Sequence, residues 1–140
     1  MALKNTYSTS PVVNSLKTIE EALVGAGVKG IQKGYEHGQI TSLMFIIDIK
    51  GRSVTFKLPV GWKKVQQVLK NEGIGRAEDD DYAYRVSWAI MRDWVTAQIA
   101  ILATENVTMP QLFLPYAMAS SGTTLFEAVM KTDLLLGPGK

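Results

Sequence analysis

A chain of 140 residues with 46% hydrophobic and 20% charged residues is long enough to bury a core and ordinary in composition for a globular protein. It contains no cysteine, which excludes disulfides, thiolate metal sites and cysteine nucleophiles and fits a reducing compartment. The net charge of +2 is unevenly spread: residues 1–76 carry eleven Lys/Arg against five Asp/Glu, and residues 77–140 carry four against eight. A basic first half is expected where one end of a molecule meets a polyanion, although the same lysines also suit a solvated surface.

Residues 1–13 are polar and end near Ser10-Pro11, which reads as a flexible arm. The stretch "MALKNTYSTSPVV" has no apolar core of a secretory leader, and no apolar run approaches the roughly 20 residues of a membrane span. A cytoplasmic protein without membrane contact is therefore expected. Thr18 and Glu21 have capping-box spacing and predict a helix start, with Leu16, Ile19, Leu23 and Val24 as its apolar stripe and Gly25 and Gly27 as its end.

Three strands follow. Residues 29–36 alternate Ile31, Lys33 and Tyr35 against Gly30, Gln32 and Gly34, and His37-Gly38 makes a turn. Residues 40–49 place Leu43, Phe45, Ile47 and Ile49 on one face. Lys50-Gly51 makes a tight hairpin turn, and residues 52–58 point Val54, Phe56 and Leu58 inward and Ser53, Thr55 and Lys57 outward. Pro59 ends the sheet. Residues 61–71 form a helix with Trp62, Val65, Val68 and Leu69 on one stripe and Lys63, Lys64, Gln66, Gln67 and Lys70 around the rest.

The acidic run Glu78–Asp81 suits the positive start of a long helix over about 81–105. It does not suit a metal, because consecutive carboxylates diverge. That helix is apolar over more than half its circumference, so it is central to the fold or to an oligomer interface. Its Trp94 is expected to fill the core. Its polar remainder holds Arg85 and Arg92, with Trp88 spaced between them as a cation–π group would be. Thr108 with Gln111 and Thr124 with Glu127 are further capping boxes, Pro115 breaks the apolar "LFLPYAM" segment, and the tail "DLLLGPGK" is frayed or docked by its leucines.

The fold class is thus α+β: an N-terminal helix, a three-stranded antiparallel sheet and a helical C-terminal half packed on it. Residues 14–76 form an α-β-β-β-α unit, and residues 77–140 a helical extension making one compact domain with it. No motif names a reaction. His37 is the single histidine and sits in a turn, and "GVKGIQKG" lacks the Gly-Lys-Ser/Thr ending and preceding strand of a phosphate loop. The expectation is a non-enzyme with no metal and no cofactor.

In topology, the helix–strand–strand–strand–helix order of residues 15–71 resembles the double-stranded RNA-binding domain. In that family lysines at the start of the helix after the third strand touch phosphate, and Lys63 and Lys64 stand near that place. Pro59 and Trp62 depart from the family's pattern, and its fuller lysine–alanine signature is absent. The three strands followed by a helix also resemble the core of single-strand annealing proteins. Over most of the chain, "WAIMRDWVTAQ", "FLPY", "GTTLFEA", "TIEEALVGAG" and "FKLP" resemble a family of short phage and prophage proteins. That resemblance implies a protein made inside a bacterial cell and tied to phage DNA metabolism or to countering host defence.

Two functions follow as expectations. The first is binding of nucleic acid, single-stranded DNA foremost, in replication or recombination. Lys29, Lys33, Lys50, Arg52, Lys57, Lys63, Lys64 and Lys70 would hold phosphate, Tyr35 or Trp62 would stack on bases, and Arg85 and Arg92 would add a cationic stripe. For Trp62 the alternative is a core residue at the helix start. The second function is a protein-interaction module, such as an inhibitor of a host defence complex, reached through apolar surface of the 81–105 helix and the "LFLPYAM" segment; the alternative is that these two segments pack on each other and on the sheet. Oligomerisation through the 81–105 helix is expected, because small proteins that bind long polyanions gain avidity by repeating a weak site. Clustering on one open face, without acids between the lysines, would favour the first.

Overall fold

The computed structural model describes residues 11–132. Most of the predicted arm and the "DLLLGPGK" tail lie outside that span.

The first helix, α1, runs Val12–Gly25. It begins well before the predicted Thr18 cap, and Thr18 lies inside it. Pro11 takes the N-cap place with φ −59° and ψ 148°, and its carbonyl accepts from the Asn14 and Ser15 amides. The apolar face explains the early start. Val12, Leu16, Ile19 and Leu23 lie at helical spacing and pack into one core, with buried Ser15 beside them. A stripe that already runs from residue 12 outweighs a local capping pattern at 18. Val24 falls off this face and is 64% exposed.

The sheet has strand order β1-β2-β3, with β1 at Gly30–Glu36, β2 at Gln39–Ile49 and β3 at Arg52–Lys57, antiparallel throughout. Both hairpins turn through residue pairs at positive φ: His37 and Gly38 at 51° and 78°, and Lys50 and Gly51 at 51° and 79°. Positive φ at both central residues is the requirement of the type I′ turn, whose twist matches that of the flanking strands. The alternation holds as predicted: Leu43, Phe45, Phe56 and Leu58 are buried, and Ile47, Ile49 and Val54 pack partly against them. A register shift at Gly34/Tyr35 bends β1.

After Pro59 the chain enters α2, Trp62–Asn71, then a 3-10 turn at Gly75–Glu78 and the long helix α3 at Asp80–Ala100. Asp79 caps α3, accepting from the Asp81 and Tyr82 amides, so the acidic run works as helix-start chemistry. The helix ends earlier than predicted: a 3-10 turn occupies Ile101–Thr104, and Glu105 closes it at φ 60°.

Two cores meet on α3. The larger gathers Ile19 and Leu23 of α1, the inner face of the sheet, and Tyr84, Trp88, Met91 and Val95 of α3. The smaller gathers Leu69 of α2, Ala77, Tyr82, Ala83 and Val86, with Trp62 and Ile90 packed against it. The apolar circumference of α3 is therefore largely accounted for over Tyr82–Val95, by α1 and the sheet on one side and α2 on another, whereas Ala97, Ala100 and Ile101 at its C-terminal end stay exposed. This corrects the roles of the two tryptophans. Trp88 is the fully buried one, whereas Trp94 is half-buried and meets Phe113 and Tyr116 edge-on at 5.7 and 5.5 Å between ring centroids. Val68 of α2 is likewise exposed, because only Trp62, Val65 and Leu69 face α3.

Both C-terminal capping boxes form. Thr108 and Gln111 open α4, Met109–Phe113, and Thr124 and Glu127 open α5, Leu125–Met130. Pro115 lies in a 3-10 turn, Leu114–Tyr116, after α4. The next residues return to the sheet: Phe56 and Ala117 form an antiparallel bridge, and the Met118 amide donates to the Thr55 carbonyl at 2.7 Å. That contact carries α5 to the edge of β3.

Candidate nucleic-acid interface

Pro59 and Val60 form a short saddle between the end of β3 and the start of α2. Gly61, the N-cap of α2, is extended and offers no side-chain acceptor to the first amides. Because Leu69 and the inner sides of Trp62 and Val65 dock on α3, Lys63 and Lys64 point away from it and are exposed. Between them and the sheet lies a groove of about 660 Å³. Tyr84, Trp88 and Met91 line its depth, Trp62 lines a wall, and Glu36, Lys63 and Lys64 belong to its lining as well.

The groove has a rigid floor. The Tyr84 hydroxyl donates to the Ile40 carbonyl at 2.5 Å, and the Ser87 hydroxyl to the Tyr84 carbonyl at 2.8 Å. Burial raises the Tyr84 phenol above the ordinary tyrosine range, opposed by hydrogen bonds with Trp88 and Ile40. Trp62 packs against both cores, so it is a core residue in part and a groove wall in part. The Lys63 ammonium lies 5.8 Å from its ring centroid.

A second groove, of about 590 Å³, adjoins the first, and Pro59, Val60 and Lys64 line both. Its other lining residues include Lys57, Tyr116, Phe126 and Glu127. The Glu127 carboxylate accepts from the Thr124 amide at 3.1 Å and the Thr124 hydroxyl at 2.9 Å. These bonds hold its carboxyl below the usual range, with help from the charges of Lys131 and Lys57.

No family model, curated protein or solved structure matches this chain.

The twelve predicted contact residues divide three ways. Five cations are held by acids. Lys29 pairs with Asp48 at 3.4 Å and donates to Ser53 at 3.0 Å; Lys33 pairs with Glu20 of α1 at 2.5 Å; Lys70 pairs with Glu78 at 3.6 Å; Arg85 and Arg92 pair with Asp81 and Asp93 of their own helix at 2.5 and 3.0 Å. The Glu20 hydrogen bond raises the Lys33 ammonium above its ordinary value. The predicted Arg85–Trp88–Arg92 stripe does not form, since Trp88 is buried; instead Arg76 lies over the Tyr82 ring at 4.4 Å.

Lys50 and Arg52 form a second class. They sit at the far hairpin, roughly 16 Å along β3 from Lys57 by strand rise, and the odd spacing of Arg52 and Lys57 puts them on opposite faces. Four of the remaining residues gather near the saddle: Lys57, Lys63 and Lys64 without an ion pair among the described residues, and Trp62 on the wall of the first groove, whereas exposed Tyr35 on β1 lines neither groove. The cluster is not free of acids, since Glu36 and Glu127 stand in the two grooves. Phe126, Tyr116 and Glu36 were not legible as site residues. Only the Thr124/Glu127 capping box marked the place where Phe126 would be fixed. Among the described residues no group of acids or histidine is arranged to hold a metal, and no helix is long and apolar enough to cross a membrane.

Proposed function

We propose that the protein binds nucleic acid, with single-stranded DNA as the preferred form, through the saddle at the start of α2. The observation that carries this reading is the gathering of Lys57, Lys63 and Lys64, without an ion pair among the described residues, on two adjoining grooves that share Lys64, the first of them walled by Trp62. Ammonium groups next to uncapped amides at a ten-residue helix start suit phosphate oxygens. An aromatic wall suits a base that is not already stacked in a duplex. In this reading the protein acts during replication or recombination of phage DNA, in the cytoplasm of a bacterial host.

The test is fluorescence anisotropy with a labelled oligothymidylate across a salt series. Three lysine–phosphate contacts give an expected slope of about −2 in log affinity against log salt, from roughly 0.7 per contact on single strands. Lys63→Glu with Lys64→Glu reduces the slope to about −0.7 or less. Absence of binding at low salt refutes the proposal. A protein-docking role, such as inhibition of a host defence complex, would draw instead on Phe126 and Met130, each 57% exposed on one face of α5. Salt-insensitive association with a protein is its signature.

A further inference from the structure

The second groove supplies Lys57 to the proposed site and carries the same chemistry as the first. Lys57 and Lys64 supply charge, and Phe126 supplies an aromatic surface that is 57% exposed. A single exposed phenylalanine is ordinary on a protein surface, but this one lines a groove beside two lysines. Here it is also held in place. The Thr124/Glu127 capping box fixes the start of α5, Leu125 packs against the main core, and the Leu125 amide donates to the Ala117 carbonyl at 2.7 Å. Tyr116 beside it is held by its edge-on contact with Trp94.

We infer that the two grooves form one track for neighbouring nucleotides of a single strand. Trp62 takes one base, Phe126 takes another, and Lys64, which lines both grooves, bridges the phosphates between them with Lys57 and Lys63 to either side. The inference rests on the nucleic-acid reading and extends it, by giving the site a second platform and a finite length. The ends of the track are set by charge. Glu36 in the first groove and ionised Glu127 in the second repel further phosphates, so the positive stretch is bounded on both sides. A duplex does not fit this scheme, because its bases are already stacked on each other.

The experiment measures anisotropy of fluorescein-labelled oligothymidylates of one to about six nucleotides, a range set by the smaller single-strand site sizes. Three proteins are compared: the full chain, Phe126→Ala and Phe126→Tyr. Phe126 is largely exposed, so its removal leaves the core intact. Wild-type affinity is expected to step up by at least about fivefold once the strand reaches both grooves, then level off. Phe126→Ala is expected to abolish the step while keeping the affinity of the shortest strands, and Phe126→Tyr to restore it. An unlabelled duplex is expected to compete at least about tenfold less well than the single strand.

If Lys63→Glu with Lys64→Glu weakens binding and flattens its salt dependence but Phe126→Ala leaves the length dependence unchanged, the two-groove track is wrong and the nucleic-acid reading stands. Equal competition by the duplex also overturns the track. If no strand binds the wild-type protein at low salt, both proposals fall together. Loss of the step in Phe126→Ala with rescue by tyrosine supports the track.

Discussion

Tyr84→Phe removes one oxygen and tests how the groove floor is built. The phenol ties α3 to the start of β2 across 44 residues of sequence, at 2.5 Å from the Ile40 carbonyl, and the residue is only 7% exposed. The hydrogen bond with Trp88 shares the same oxygen, and an indole only donates. Phenylalanine leaves that carbonyl and that indole N–H short of a partner in a buried place. Each unsatisfied buried group costs about 1–3 kcal/mol, and phenylalanine recovers part of this because it has no hydroxyl to desolvate. The expected net loss is about 2 kcal/mol at neutral pH, read from urea unfolding followed by tryptophan fluorescence.

The same substitution has a pH signature. The folded phenol titrates above its ordinary range, so the folded state favours the protonated form. The stability it contributes is complete below the unfolded value of about 10 and is lost as pH rises through the folded value. The gap between wild type and Tyr84→Phe should therefore narrow from about pH 10 upward. The comparison of the two proteins cancels the other tyrosines. Equal stability at neutral pH, or a gap that stays constant through the alkaline range, would refute the reasoning.

Three further substitutions probe the frame. Ser15 is buried in α1 with its hydroxyl unpartnered among the described residues, so Ser15→Ala should stabilise the protein by about 1 kcal/mol in chemical denaturation, through relieved desolvation and better helix propensity. A Cβ on Gly34 would lie 2.2 Å from the Ser42 hydroxyl oxygen, so Gly34→Ala should cost about 1 kcal/mol alone and distinctly less in a Ser42→Ala background, as a double-mutant cycle would measure. Thr124→Ala removes the α5 capping box; amide exchange at Ala128 and Val129 should accelerate, and the Glu127 carboxyl should return toward its ordinary range in an NMR titration. Because the wild-type Glu127 value is depressed, its support of α5 is present above the ordinary glutamate range and fades as pH falls through the folded value. The variant should lack that acid dependence.

The sheet was legible because two local signals agreed. Period-two alternation over residues 40–58 fixed which side chains are buried, and the turn pairs His37-Gly38 and Lys50-Gly51 fixed where the strands reverse. Capping patterns were less reliable. The same Ser/Thr-x-x-Glu/Gln spacing marks true starts at Thr108 and Thr124 and an interior position at Thr18. The difference is what precedes it. Upstream of Thr18 the apolar stripe already runs back to Val12, whereas upstream of Thr124 a turn at Gly122, with φ 83°, interrupts any helix. The two tryptophans of α3 were indistinguishable for a related reason. A helix that is apolar nearly all round gives no sign of which side meets the sheet, and that choice is made by α1 and α2 together.

Charge was the least legible property, since net balance does not say which cations are already answered. Arg85 has Asp81 one turn before it, a pairing that spacing alone suggests, whereas Arg92 pairs with its chain neighbour Asp93, which helical spacing does not suggest and which the sequence would rather give to a cation of another element. The Lys33–Glu20 and Lys29–Asp48 pairs join separate elements and depend on the fold. Once those are subtracted, the unpaired lysines nearest an aromatic wall are the ones flanking Pro59. That proline stops β3 and Gly61 starts α2, so the chain changes direction within a few residues and brings Lys57 and Lys64 onto one groove. The bridge between Phe56 and Ala117 then sets α5 beside the same turn. The saddle is thus where a strand end, a helix start and a returning segment meet. Each of the three was legible alone, and their meeting is a product of tertiary packing.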